Sequence, residues 1–183
     1  MPKWNKQVFR LAEGHGWQCR PGFKSIVGDR GAFRFDIPAD WFFEPGTPTL
    51  KFYDREPPND DILLEVTPWR LPDAIDWSDL PLKQLFEEAT KGEPDELIWR
   101  GEAIGVERRD LEMTWHETYF VDPGEHREAR SRTLLARQAA FVLLLTLSFW
   151  PDDAERSLPI WDEVLRSLRM GQHLTLAARR GRN

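Results

Sequence analysis

Phe141-Val142-Leu143-Leu144-Leu145-Thr146-Leu147-Ser148-Phe149 is apolar at every position except Thr146 and Ser148. A bounded apolar run of this kind reads as a strand covered on both faces. It is followed by Trp150-Pro151-Asp152-Asp153 and then by Leu158, Trp161, Val164, Leu165 and Leu168 at spacings of three and four. That spacing predicts an amphipathic helix over about 154–169. The two aspartates sit at its N-terminus, where negative charge is favoured. The segment closes on Ser167-Leu168-Arg169-Met170-Gly171.

Working back along the chain, Leu111 to Val121 is the clearest alternating strand. Leu111, Met113, Trp115, Tyr119 and Val121 share one face, and Glu112, Thr114, His116 and Thr118 share the other, which reads as the polar side. Asp122-Pro123-Gly124-Glu125 is a turn, and Thr133 to Gln138 leads as a strand into the apolar run. Leu97-Ile98-Trp99-Arg100 and Ala103 to Val106 are two shorter strands. Before them a helix is expected from about Leu80 to Lys91, capped by Ser78 or Asp79, with Pro81 in the first turn and Gly92 at the end. Leu82, Leu85, Phe86 and Ala89 form its apolar stripe. Leu50 to Tyr53 and Ile62 to Val66 are strands joined by an exposed, acidic, proline-rich loop over 54–61. Phe33-Arg34-Phe35-Asp36-Ile37 alternates as a half-buried strand that Pro38 ends, because proline has no N–H to donate. Sequential strands with short connections favour antiparallel pairing. The fold class expected is α+β, a mostly antiparallel sheet of about six to eight strands with helices packed against it.

The 183 residues suit a single domain large enough to bury roughly 70% of its unfolded surface. We divide them into an N-terminal extension over 1–30, docked through Phe9, Leu11, Trp17 and Phe23, a domain over 31–171, and a basic tail over 172–183, solvated or frayed. The net charge of −6 is uneven. From Arg169 onward there are four arginines and no acid, leaving 21 basic against 31 acidic residues, a net −10, for the rest. An acidic body repels phosphate backbones, so nucleic acid is disfavoured as a partner. Cys19 is the single cysteine and can form neither an intramolecular disulfide nor a metal cluster by itself. No apolar stretch follows Met1-Pro2-Lys3-Trp4, and the run from Ala139 to Trp150 is too short to span a bilayer. A soluble cytoplasmic protein without a membrane partner is expected.

The strand ending in Ile37-Pro38-Ala39-Asp40-Trp41, the helix after the third strand, and the terminal strand and helix closing on Ser167-Leu168-Arg169 together resemble the PsbP-like superfamily. That superfamily includes the photosystem PsbP proteins, the Ran-binding Mog protein, DcrB-type domains and the EagR chaperones. The resemblance runs from about Phe33 to Met170. It implies an α/β/α sandwich and a habit of binding proteins, and it supplies no catalytic residue. The first 30 residues and the arginine-rich tail have no counterpart in it, and the export signals of PsbP and DcrB members are not evident here.

The residues offer no catalytic constellation, no metal site and no cofactor. His116 is the best-placed histidine, and an imidazole oriented by a carboxylate can act as a general base. Yet Glu117 points to the other sheet face and Glu112 is four residues along. His15, His116, His126 and His173 form no ligand pair of metal-binding spacing. Asp54, Glu56, Asp60 and Asp61 supply oxygens, but without the glycine-bearing loop of a calcium site they read as a solvated acidic loop. Phosphate loops and nucleophile elbows are missing from the sequence.

Tryptophan and arginine are the residues most enriched at interface hot spots. The nine tryptophans therefore serve either core or partner. Trp69 and Arg70, held between Pro68 and Pro72 at the exit of a strand, are the first candidates for partner binding, with Trp77, Trp99 and Arg100 beside them. The expected function is a non-catalytic adaptor, chaperone or immunity-type module with a protein partner. The alternatives are a small-ligand binder with an aromatic pocket lined by Trp99 and Trp115, and an enzyme centred on His116. Partner identity and oligomeric state are left open.

Overall fold

A computed structural model of the chain describes residues 17–72, 77, 79–92, 96–108 and 111–171. Phe9, Leu11, His15, Ser78, His173 and the tail over 172–183 lie outside the described residues.

Strands β1 (Phe23–Gly28), β2 (Phe33–Pro38), β3 (Phe42–Glu44), β4 (Leu50–Tyr53) and β5 (Ile62–Arg70) precede helix α1 (Leu82–Ala89). Strands β6 (Leu97–Arg100), β7 (Ile104–Arg108), β8 (Leu111–Val121), β9 (Glu128–Gln138) and β10 (Phe141–Phe149) follow, then helix α2 (Ala154–Ser167) and β11 (Arg169–Met170). Eight strands form one antiparallel sheet in the order β3-β4-β5-β10-β9-β8-β6, with β7 pairing the other half of β8. The opening strand stands elsewhere: β2 lies between β1 and β11 in a separate three-stranded sheet. The fold is the α+β sandwich expected, with α1 on one face of the large sheet and α2 with the small sheet on the other.

The apolar run is the centre of this arrangement. Leu143, Leu145, Leu147 and Phe149 of β10 meet Phe33, Phe35 and Ile37 of β2 and Ile160, Trp161, Val164 and Leu168 of α2 in one core. The smaller cluster on the opposite face joins Val142 of β10 and Leu135 of β9 to Leu82 and Phe86 of α1 and to Leu71. Both faces of β10 are therefore covered near Val142, as its composition implied. Toward Thr146 and Ser148 the α1 side of the strand is only partly buried.

The two segments that frame the domain touch. Arg169 and Met170 pair with Arg34 and Phe33. The Asp36 N–H donates to Ser167 Oγ at 2.8 Å, and the Gly171 N–H donates to Ala32 O at 2.9 Å. Gly171 has a φ of 70° and backs onto Gln138, so a side chain there meets both strain and a clash. This pairing also corrects two expectations. Residues 169–170, expected to end the helix, form a strand. Strand β2, expected to be half-buried, is buried at every position from Phe33 to Ile37. Its polar pair is sealed: Arg34 Nη2 lies 3.4 Å from Asp36 Oδ1, and Ser25 Oγ donates to the same oxygen at 2.5 Å.

Other boundaries moved for local reasons. Helix α1 starts after Pro81, which takes the cap position without a side-chain hydrogen bond, so neither Ser78 nor Asp79 is its N-cap. Strand β5 runs on through Pro68 to Arg70, so Trp69 and Arg70 lie inside a strand. The proline is tolerated because β4 pairs no further than Val66, and among the described residues no other strand pairs that edge of β5. The loop over 54–61 closes around Asp54, whose Oδ1 accepts the Asp61 and Ile62 N–H groups at 2.9 and 3.0 Å. Arg55 and Arg156 flank its carboxylate.

Candidate functional site

Strand β8 carries the outer boundary of the large sheet. Its first half pairs with β7 and its second half with β6. On β6 the register slips between Leu97, opposite Phe120, and Trp99, opposite Tyr119. Ile98 is the extra residue of this bulge and turns outward. Ile98, Trp99 and Ile104 are each about half exposed, at 50%, 52% and 48%. The Trp99 ring lies over Gly101, where a Cβ would come within 2.9 Å of it, and the Gly101 N–H donates to Glu117 O at 2.8 Å. Glycine at 101 thus lets the indole lie flat along the edge instead of standing into solvent.

Register places Arg100 opposite Thr118, and so on the α1 side of the sheet. Its guanidinium donates to Thr90 O at 3.4 Å, at the C-terminus of α1, where positive charge is favoured. His116 lies on the same face, buried, with Phe86 edge-on to its ring at 4.7 Å. The face of β8 expected to be polar and semi-exposed is therefore roofed by α1. Burial first, and the Arg100 charge second, push the imidazole down to about 4, so it is neutral at physiological pH. The two carboxylates nearest it in sequence are engaged elsewhere. Glu112 pairs with Arg137 at 2.5 Å, and Glu117, on the opposite face, pairs with Arg130 and Arg132.

The five residues expected to bind a partner fall into three groups. Trp69 and Trp77 pack around the α1 cluster, and the Trp77 indole donates to Pro72 O at 2.8 Å. Arg70, on the other face, stands 5.3 Å over the Phe141 ring and 3.8 Å from Asp29. Trp99 and Arg100 share the β6 edge. The Trp115 ring meets Trp161 edge-on at 5.7 Å toward α2. Among the described residues no cluster of three or more histidine, cysteine or acidic side chains stands ready to hold a metal. The Cys19 thiol is pushed up by burial and by Asp36, which keeps it protonated.

Two features escaped the sequence reading. Arg137 is 95% buried and donates to Trp77 O and Leu80 O at 2.7 and 2.8 Å, tying the approach to α1 onto the sheet. Its one sequence signal was a cation at an inward position of a strand. The second is the set of hydroxyls on the α1 face, where Thr118, Ser131 and Ser148 stand in register across β8, β9 and β10.

A family model described as Alr1449 matches residues 24–174. The uncharacterized protein alr1449 of Nostoc sp. (strain PCC 7120) is 39% identical over 173 residues, covering 94% of this chain and 90% of that protein. Two solved structures share the fold. Cyanobacterial PsbP (CyanoP) from Synechocystis sp. PCC 6803 has a TM-score of 0.60 at 15% identity, covering 86% of this chain and 100% of that one. LpqN of Mycobacterium tuberculosis, described as involved in cell envelope biogenesis, has a TM-score of 0.56 at 16% identity, covering 81% and 90%. Among the described residues no helix is long and apolar enough to cross a membrane.

Proposed function

The chain belongs to the Alr1449 family and has a PsbP-like fold, and from that premise we propose that it is a non-catalytic domain that binds an extended segment of a protein partner along the β6–β7 edge. The observation that carries this reading is the trio Ile98, Trp99 and Ile104, large apolar residues left half exposed on the two strands where the sheet ends. Sheet edges present unpaired N–H and C=O groups, and they are ordinarily blunted by charge, proline or cover. Here the apolar side chains are retained at the edge. An added strand takes its affinity from main-chain hydrogen bonds and its specificity from side chains at alternate positions.

The favoured occupant is a segment with apolar residues at alternate positions. A second copy of the chain fits less well. Strands of four and five residues, one of them bulged, offer far less than the ~800 Å² per partner of a stable interface. Of the five residues first singled out, Trp99 and Arg100 are the anchors. Trp69 and Trp77 shape the adjoining α1 face, and Arg70 lies at the far end of β5.

A photo-crosslinking residue placed at 98, compared with one at the exposed position 155 on α2, tests the reading in source cells. The expected product is one adduct, specific to position 98, in which mass spectrometry finds an extended apolar segment. The purified pair rebinds, and Trp99→Ser abolishes the adduct. Adducts that are equal at both sites, that join only two copies of this chain, or that survive Trp99→Ser would overturn it.

A further inference from the structure

The β6–β7 edge is one line with a break in it. Both strands run antiparallel to β8, β6 ending opposite Thr118 and β7 starting opposite Trp115. In the break, Gly101, Glu102 and Ala103 stand against only two residues of β8, His116 and Glu117. Between this break and α1 lies a pocket of about 330 Å³. Of its lining residues only Phe86 and His116 are buried, at 1% and 5% exposure, and their rings meet edge-on. Among the described residues no hydrogen bond reaches either ring nitrogen of His116. The unpaired side-chain atoms sealed inside the described residues are Arg34 Nε and Trp161 Nε1, so the imidazole nitrogens are not closed off. Burial keeps the ring neutral, with one donor and one acceptor to offer. The charged residues around the pocket, Lys83, Glu87, Arg100 and Glu102, are all exposed, and their formal charges cancel.

We propose that this pocket takes a tyrosine side chain of the bound partner segment, its ring beside Phe86 and its hydroxyl paired with His116. The proposal rests on the edge reading above and specifies one residue of the occupant. Register puts Trp99 and Ile104 on the Trp115 side of the sheet and the pocket on the α1 side. Side chains of a strand alternate between faces. A segment added along the edge therefore lays one set of side chains against Trp99 and Ile104 and turns the residue between them toward the break. A charged side chain gains nothing from neutral His116 and loses hydration on entering. Phenylalanine leaves the imidazole unpaired, and serine or threonine leaves most of the volume unfilled. An indole can only donate. A phenol both donates and accepts, so it matches whichever nitrogen faces it, and its ring suits the edge-on geometry of aromatic pairs.

Two pairs of probes test it on the full chain by NMR. The first pair is p-cresol against toluene, which have no backbone to add to the sheet and so report on the pocket alone. p-Cresol should shift a His116 ring nitrogen saturably, and toluene should not. The second pair is the end-capped peptide Thr-Val-Tyr-Val-Thr against the same peptide with phenylalanine at its centre. The tyrosine peptide should bind about fivefold to tenfold more tightly, the scale of one hydrogen bond. His116→Phe should erase that preference, and the ring-nitrogen shift in the parent chain provides the same answer without a variant. The pocket is overturned if p-cresol and toluene act alike on His116, if the two peptides bind equally or neither saturates, or if the preference survives His116→Phe. The edge reading fails separately: a tyrosine preference kept at full affinity in Trp99→Ser would sink the edge and leave the pocket as a site for phenols.

Discussion

The two faces of β10 are made of the same nine residues and serve opposite ends. Leu143, Leu145, Leu147 and Phe149 face the small sheet and α2, where they are almost fully sealed from water. Val142, Leu144, Thr146 and Ser148 face α1, and beyond Val142 these residues are only partly buried. One face fixes the fold by close packing. The other leaves a short helix, a pocket and an edge where chemistry can be varied at low cost to stability. Alternation along one strand thus separates what must not change from what is free to specialise.

The sharpest way to break this comparison is to mutate adjacent residues. Leu145→Ala opens a cavity in the main core and should cost about 2–5 kcal/mol. Thr146→Val, next along the chain on the open face, should stay within about 0.5 kcal/mol of the parent. Urea unfolding of both variants decides the matter, and equal losses would erase the distinction between the faces. Arg137→Met comes next. It strips partners from the Trp77 and Leu80 carbonyls and should cost roughly 1–3 kcal/mol. Hydrogen exchange should show faster opening of α1 with α2 unaffected.

Much of this division was legible in the sequence, within the limits of local pattern. The alternation of β8 and the apolar run of β10 marked the strands and the covered centre. The stripe of α2 was also visible, since Trp161, Val164 and Leu168 are core residues. The small sheet was not legible, because Arg169 and Met170 pair with residues some 135 positions earlier and nothing local announces it. Arg34 and Asp36 misled for a physical reason: two opposite charges two residues apart look like a solvent face, yet they neutralise each other well enough to be buried. His116 misled in the same direction, since only tertiary packing brings Phe86 over it. At the candidate site, the sequence supplied Trp99 and Arg100 as residue types. The exposure of Trp99, and its separation from Trp69 and Trp77, came from the sheet register.

The His116 environment sharpens the comparison through pH. Its folded value near 4 lies below the ordinary 6.5, so the unfolded chain binds the proton more tightly over that interval. Stability from the neutral, buried imidazole is complete above about pH 6.5 and is lost as pH falls toward 4. His116→Gln removes the titration, and its urea midpoint should therefore fall less steeply than the parent's over that window. Parallel slopes would mean that α1 does not shield the ring from water.

The smallest expected effect on stability belongs to the residue with the largest expected effect on binding. Trp99→Ser removes a half-exposed indole that lies on Gly101 and outside both apolar clusters. Its cost should stay within about 0.5 kcal/mol, as for surface substitutions away from structural features. A buried aromatic anchor in an interface is worth about 2 kcal/mol or more, so partner affinity should drop by a factor of roughly thirty. The two measurements have to be made together. If Trp99→Ser lowers the melting temperature markedly, the indole is sealing the sheet edge, and its exposure says nothing about a partner. If stability holds and affinity collapses, the edge of β6 is a surface kept apolar for something other than folding.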